Sequence, residues 1–156
     1  MPQLFTALTP PPAMRIILLL IAIFLFNAAQ AEPGADPLDS AYEAARMTYR
    51  AHRYEDAVRA LEALLLTHPD CARCAHLLGK GYGRLAQRAN WLSAMDLARK
   101  TCSGLELAVR LAPQNADYIE DLLRYYRAAP EFLGGGKDKA RTMAQRLAAL
   151  QANGAE

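Results

Sequence analysis

From Asp39 onward, apolar residues recur at helical spacing along nearly the whole chain. Ala, Leu, Arg and Glu dominate this part, and it contains no run of alternating β-branched residues of the kind that predicts a half-buried strand. Ahead of it, residues 32–38 contain Pro33, Gly34 and Pro37, which is typical of a flexible lead-in. The pattern predicts an all-α fold.

The longest predicted helix runs from about Asn90 to Leu111. Its apolar residues follow a 4-3-4-3-4 spacing that places them on a single face, which we expect to be buried: Trp91, Met95, Ala98, Cys102, Leu105 and Val109. A break follows in the sequence APEFLGGG from Ala129 to Gly136, because Pro130 disfavours helix at Ala129 and glycines permit positive φ. A last helix is predicted to start at Lys137.

An internal repeat organises these helices. Three pairs of identical residues are each 44 positions apart: Pro69 and Pro113, Leu78 and Leu122, and Tyr82 and Tyr126. Two segments therefore share one template. Its core positions are Ala75, Leu78, Gly79 and Tyr82 in the earlier segment and Ile119, Leu122, Leu123 and Tyr126 in the later one.

This template resembles the first helix of the tetratricopeptide repeat. An earlier unit resembles the family's second helix, with matching positions at Tyr54, Ala57, Leu61, Leu64 and Pro69. The interruption at 129–136 is similar to one found in a group of exported bacterial proteins of this family. The resemblance implies a right-handed stack of about three helix hairpins over residues 39–150, a short α-solenoid whose first helices line a concave groove that holds peptides.

The N-terminus has the pattern of a secretory signal. Arg15 precedes an unbroken apolar run from Ile16 to Phe26, and small residues stand at Ala29 and Ala31. We expect a signal peptide over residues 1–31, a start at Met14 being an alternative, and an uncleaved anchor is the competing interpretation. The predicted location is the periplasm, with no stable membrane span after cleavage and a tail at residues 151–156.

The charge balance gives no general attraction to nucleic acid. The chain has 18 Lys and Arg against 16 Asp and Glu. Since Arg15 is the only charged residue in the predicted signal, 17 basic and 16 acidic residues remain after its removal. We therefore expect no nucleic-acid partner.

The cysteines are the sharpest chemical feature. Cys71 and Cys74 form a CxxC motif where a helix should begin, and Cys102 is the third cysteine. In an oxidising compartment this set indicates one structural disulfide and one free thiol. A redox role is the alternative, although the strand that precedes a thioredoxin-type site is missing. Metal binding with the nearby His68 and His76 is less favoured, since no second cluster completes a zinc-site spacing, and we predict no metal and no cofactor.

The family resemblance also implies which residues of the first helices face the groove. They are Tyr42, Arg46, Tyr49, Arg50, Arg73, His76, Lys80, Arg84, Glu120, Arg124 and Arg127. Arg46, Lys80 and Arg124 occupy one register position in three successive helices. This lining suits an acidic segment or a free C-terminal carboxylate, unless it is an ordinary solvated surface.

The resulting functional expectation is a scaffold or adaptor that binds a protein or peptide and catalyses nothing. The glycines at 134–136 lack the order of a phosphate-binding loop, and no serine has the setting of a nucleophile. Two alternatives stay open: a thiol-active accessory protein that uses Cys71 and Cys74, and a packing subunit of an envelope complex.

Overall fold

The computed structural model describes residues 36–153, so the predicted signal peptide, most of the lead-in and residues 154–156 lie outside it. The described residues form six α-helices and one 3₁₀ helix, without a strand. The α-helices are α1 (Pro37–Arg50), α2 (Tyr54–Thr67), α3 (Ala72–Ala86), α4 (Trp91–Leu111), α5 (Ala116–Ala128) and α6 (Lys137–Asn153), and the 3₁₀ helix is Glu131–Leu133. The predicted all-α fold is confirmed.

The ends of the helical domain lie slightly beyond the predicted ones. α1 begins at Pro37, where the fixed φ of proline suits a first helical turn, and the Asp36 side chain accepts a hydrogen bond of 2.9 Å from the backbone N–H of Leu38. α6 continues to Asn153, past the predicted end at Leu150.

The helices form three successive hairpins. Short connections join α1 to α2, α3 to α4, and α5 to α6, and each helix packs chiefly on its neighbours in sequence. α1 and α3 point the same way, because Asp39 meets Arg73 near their N-terminal ends and Tyr49 meets Arg84 near their C-terminal ends. α5 is parallel to α3, because His76 stacks on Tyr118 and Lys80, one turn later, meets Asp121. This is the arrangement of a short α-solenoid.

Two apolar clusters form the core. The first, between α1, α2 and α3, contains Ala45, Val58, Leu61, Cys71, Cys74, Leu77, Leu78 and Tyr82. The second, between α4, α5 and α6, contains Cys102, Leu105, Val109, Ile119, Leu122, Leu123, Tyr126 and Ala140. The template residues of the repeat are thus core residues, as predicted.

Glycines join the two halves by letting α3 and α4 approach closely. A Cβ atom on Gly104 would lie 2.8 Å from Cα of Gly79 and 3.2 Å from the carbonyl oxygen of Ala75. A Cβ atom on Gly79 would lie 3.0 Å from the backbone nitrogen of Leu105. The backbones of the two helices are therefore in direct contact.

The predicted long helix is present, but its expected buried face starts later than predicted. Cys102, Leu105 and Val109 are buried, whereas Trp91 is 71% exposed. α4 has 21 residues and α3 has 15, so α4 is roughly 9 Å longer at 1.5 Å per residue. Since Gly79 lies opposite Gly104, the excess falls at the start of α4, where Trp91 has no helix to pack against.

The glycine-rich interruption folds back onto α4. Gly134 and Gly136 have φ of +91° and +136°, as the sequence predicted, and a Cβ atom on Gly135 would lie 1.9 Å from the carbonyl oxygen of Ala129. The Tyr125 hydroxyl lies 2.8 Å from the carbonyl oxygen of Ala98 and 2.7 Å from that of Leu133, within donating distance of both. Burial raises the pKa of Tyr125 to about 12.

Candidate functional site: a groove along the first helices

An open cavity of about 430 Å³ lies along the first helices. Its walls come from α1, α3 and α5, and α4 supplies part of its floor. The lining residues are Tyr49, Lys80, Gly83, Arg84, Ala86, Gln87, Thr101, Leu105, Asp121, Arg124, Tyr125 and Ala128. Small and apolar side chains at the base, with cations and tyrosines around them, are typical of a binding site for a polypeptide segment.

Four of the predicted groove residues line this cavity: Tyr49, Lys80, Arg84 and Arg124. They come from three different helices, which the repeat register brings side by side. Of the three cations at one register position, Lys80 and Arg124 line the cavity, and Arg46 does not.

Asp121 connects the cations of this groove to one another. Its carboxylate lies 2.8 Å from Nε2 of His76, 3.2 Å from Nζ of Lys80 and 3.1 Å from Nη1 of Arg124. The hydrogen bond from His76 is the main cause that lowers the pKa of Asp121 to about 2, and Lys80 adds to it while burial opposes it. The His76 ring also stacks on Tyr118, with ring centroids 4.3 Å apart. Asp121 therefore fixes α3 to α5 as an ion.

The predicted cations near α1 are paired in a similar way. Arg73 binds Asp39 and lies over the Tyr42 ring, 4.6 Å from its centroid. Arg46 pairs with Glu43 of its own helix at 2.5 Å. The groove side is consequently less positive than the sequence suggested, because carboxylates of the same helices offset these charges.

Arg84 differs from these residues. Within residues 36–153 no carboxylate oxygen lies within 4.0 Å of its guanidinium. A hydrogen bond with Tyr49 is the main cause that raises the pKa of Arg84, and Oε1 of Gln87 lies 3.4 Å from its Nη1. Arg84 is thus the groove cation whose charge is left for a ligand.

The other seven predicted groove residues do not line this cavity; Tyr42, Arg46, Arg73 and His76 make the contacts described above, and three lie elsewhere. Arg50 ends α1 on the exposed surface and does not line the cavity. Glu120 and Arg127 line shallow depressions on the flank of α5 beside α6. At 100° per residue, these two side chains point about a third of a turn away from Asp121, Tyr125 and Ala128, which face the groove.

Two residues of the site were missed by the sequence interpretation. Asp121 aligns with buried Leu77 in the 44-residue repeat, so its position indicated core rather than groove. A helix that places Asp121 three residues before Arg124 does carry a signal, since such pairs are neighbours on a helix surface. Nothing in the sequence pattern indicated that Tyr125, next to the template residue Tyr126, would face the groove.

The cysteines divide into a bonded pair and a free thiol. Cys71 and Cys74 form a disulfide at the start of α3, and both are buried. The Cys71 sulfur also accepts a hydrogen bond of 3.3 Å from the backbone N–H of Cys74. The sequence predicted one disulfide and left its partners open; the bond joins the two cysteines of the CxxC motif, so neither sulfur is a free metal ligand beside His68 and His76.

Cys102, the free thiol, is buried beneath the glycine loop, with Oε1 of Glu106 at 3.5 Å. Burial is the main cause that raises the pKa of Cys102 to about 11, with Glu106 adding to it. A thiol held in its protonated form is a weak nucleophile.

The described residues have an all-helical fold similar to that of tetratricopeptide-repeat proteins. No protein-family model matches the chain, and no curated protein sequence matches it. Human IFIT1, solved as a dimer with PPP-AAAA, has a similar structure, with a TM-score of 0.63 and 23% sequence identity. The match covers 84% of this chain and 31% of the IFIT1 chain, so the present protein spans about a third of its neighbour and shares its fold.

Within residues 36–153, no helix is long and apolar enough to cross a bilayer.

Proposed function

We propose that the protein is an exported scaffold or adaptor that holds a segment of a partner polypeptide in the groove and catalyses no reaction. The observation that carries this proposal is the single open cavity shared by α1, α3 and α5, in which Tyr49, Lys80, Arg84 and Arg124 surround an apolar base. An extended segment can lay apolar side chains on Ala86, Leu105 and Ala128 while its polar groups meet the rim.

The ligand chemistry that suits this groove is an acidic side chain or a free C-terminal carboxylate. Arg84 offers a planar guanidinium that can bind a carboxylate in bidentate fashion. Lys80 and Arg124 contribute less than two isolated cations would, because Asp121 already lies 3.2 and 3.1 Å from them. The ligand carboxylate is therefore expected to bind closest to Arg84.

Export to the periplasm is part of this proposal. It is supported by the sequence pattern from Arg15 to Ala31 and by the Cys71–Cys74 disulfide, since disulfides persist in oxidising compartments.

A polypeptide suits the groove better than a nucleic acid does. IFIT1 was solved with PPP-AAAA, so this fold can accompany either kind of ligand. Here Asp121 lies among the cations of the groove, and a run of phosphates would be repelled by it.

The thiol-active alternative is the weaker one. Cys71 is 7% exposed and Cys74 is fully buried, which restricts attack by an external thiol. The alternative of a packing subunit is supported by the exposed apolar side chains of Trp91, Leu92 and Phe132.

The proposal is tested by measuring the affinity of the protein for a library of acidic and basic peptides, each made with a free and an amidated C-terminus. We expect binding of acidic peptides, weakened at least about tenfold by Arg84→Ala and by Lys80→Ala/Arg124→Ala. The double variant should lose at most about 1 kcal/mol of the free energy of unfolding, because Lys80 and Arg124 are themselves exposed and His76 still pairs with Asp121.

Arg110→Ala is the matched control, because it removes an exposed arginine of α4 that does not line the groove. Binding that is equal in all variants, or that does not respond to added salt, would show that the cations of the groove are an ordinary solvated surface.

A further inference from the structure

The two ends of the helical stack carry opposite charge. α1, α3 and α5 end where α2, α4 and α6 begin, in the segments 47–57, 84–94 and 124–141, which we call the basic end. The opposite, acidic end comprises segments 36–43, 62–73, 106–121 and 146–153.

The basic end has nine cations, Arg50, Arg53, Arg84, Arg88, Arg124, Arg127, Lys137, Lys139 and Arg141, against four carboxylates, Glu55, Asp56, Glu131 and Asp138. The acidic end has nine carboxylates, Asp36, Asp39, Glu43, Glu62, Asp70, Glu106, Asp117, Glu120 and Asp121, against three cations, Arg73, Arg110 and Arg146.

Two cations of the basic end pair with carboxylates counted at the acidic end, Arg124 with Asp121 at 3.1 Å and Lys139 with Glu106 at 3.6 Å, whereas others are unpaired within the described part of the chain. Five of them have no carboxylate of residues 36–153 within 4.0 Å: Arg50, Arg84, Arg88, Arg127 and Lys137. They are contributed by α1, α3, α5, α6 and the connection that follows α3, so the positive charge is spread over the whole end of the stack.

Large apolar side chains are exposed at the same end. Trp91 and Leu92 are 71% and 58% exposed on the first turn of α4, which projects beyond the end of α3. Phe132, on the 3₁₀ helix between α5 and α6, is 67% exposed. These side chains stand on convex turns and outside the groove cavity.

We propose that the basic end docks on an anionic lipid surface, with Trp91 and Leu92 entering the headgroup layer and the surrounding arginines contacting lipid phosphates. Tryptophan is favoured at the boundary between water and hydrocarbon, and cations near a charged leaflet each add to binding. An exposed apolar tip at an end rich in arginines suits an interfacial contact.

The shape of this end favours a lipid surface over a polypeptide or a single-stranded nucleic acid. Trp91 and Leu92 project from the helix tip, whereas recognition of a peptide or a base needs a pocket that encloses the group. A bilayer adapts its shape to the tip, and Leu92 offers no flat ring on which a base could stack.

Trp91 itself provides the test, because it is the only tryptophan of the chain. The full-length protein is mixed with vesicles of phosphatidylcholine alone or of phosphatidylcholine and phosphatidylglycerol at 3:1. We expect the Trp91 emission to shift to shorter wavelength with the anionic vesicles only, and to be quenched by lipids brominated near the headgroup. Added salt should weaken the effect.

Matched variants separate this contact from any binding by residues 1–35. Leu92→Glu should abolish the Trp91 shift, whereas Leu66→Glu, which alters an 86% exposed leucine at the acidic end, should preserve it. Arg50→Gln and Arg127→Gln should each weaken partition into anionic vesicles about fivefold, and Arg110→Gln at the acidic end should not.

The proposal is overturned if Trp91 emission is the same with and without anionic vesicles, or if Leu92→Glu and Leu66→Glu behave alike. It is also overturned if a single-stranded RNA of 20 nucleotides shifts the emission at lower concentration than the vesicles do and the same arginines govern its binding, since the basic end would then be a nucleic-acid site.

Discussion

At the scale of the residue, Asp121 is the charged group on which the groove depends most. It accepts from His76 and Lys80 of α3 and from Arg124 of its own helix, and its side chain is 16% exposed. The pKa of Asp121 is about 2 in the folded protein, against an ordinary 3.8. The folded structure therefore stabilises the ionised carboxylate.

We therefore expect Asp121→Asn to lower the free energy of unfolding by about 1 to 2 kcal/mol at pH 7. The contribution of the carboxylate is complete above about pH 4 and is lost as the pH falls towards 2, so the variant and the parent should converge over that range. Urea denaturation followed by circular dichroism would measure it. Circular dichroism is preferable to tryptophan emission because Trp91 is already exposed in the folded protein.

Asp138→Asn is the control for this measurement. Asp138 also pairs with an arginine, Arg141, at 3.1 Å, but its side chain is 94% exposed. Its replacement should change the free energy of unfolding by less than about 0.5 kcal/mol at any pH. If Asp121→Asn and Asp138→Asn have equal effects, Asp121 does not connect α3 to α5 energetically.

The sequence located the groove but gave an incomplete set of its residues. The repeat register placed Lys80 and Arg124 side by side, because residues at one register position of parallel helices are neighbours. It could not give the rotation of α5 about its axis, which turns Glu120 and Arg127 towards α6 and brings Asp121 into the groove. That rotation is decided by how Ile119, Leu122 and Leu123 pack into the second cluster.

At the scale of the element, the contact between α3 and α4 determines how the two halves fit. Gly104 lies on the backbone of Gly79, whereas Gly83, one turn further along α3, faces only the side chain of Thr101. A Cβ atom on Gly83 would lie 3.5 Å from Cγ2 of Thr101, an ordinary van der Waals distance.

This difference predicts opposite outcomes for two similar substitutions. Gly104→Ala should lower the free energy of unfolding by about 1 to 3 kcal/mol, because α3 and α4 must separate to admit the methyl group. Gly83→Ala should raise it by about 0.5 to 1 kcal/mol through helix propensity. Thermal or urea denaturation of the two variants would measure both effects, and a stable Gly104→Ala variant would contradict the close contact.

The helices themselves were largely predictable from the sequence. The exposure of Trp91 was not, because the hydrophobic pattern of one helix does not show what packs against it. Periodicity showed that Trp91 shares a face with Cys102, which is a local property of one helix. Whether that face is covered at Trp91 depends on whether α3 extends far enough to reach it. The register between α3 and α4 determines this. The register depends on the close backbone contact at Gly79 and Gly104, and glycines, having no side chain, contribute nothing to a hydrophobic pattern.

At the scale of the whole molecule, the core is divided between two clusters in a linear stack. Leu61 is fully buried in the first cluster and Ile119 in the second, and α3 and α4 join them. In such a stack, each hairpin is stabilised by itself and by its immediate neighbours.

We expect truncations in the two clusters to act locally. Ile119→Ala and Leu61→Ala should each cost about 2 to 5 kcal/mol. Native-state hydrogen exchange should then accelerate most in α5 and α6 for the first variant and in α1 and α2 for the second. Equal acceleration along the chain in both variants would mean that the stack unfolds as one unit.

The separation of charge between the two ends also gives the molecule a large electric dipole along its helices, although its formal net charge is only +2. At low ionic strength and a single pH near neutrality, the protein should be retained by a cation exchanger through the basic end and by an anion exchanger through the acidic end. Arg50→Gln should shorten retention on the cation exchanger, and Asp70→Asn should shorten it on the anion exchanger. In solution, the same dipole would orient the molecule as it approaches an anionic surface. The basic end, with Trp91 and its arginines, would then contact that surface first.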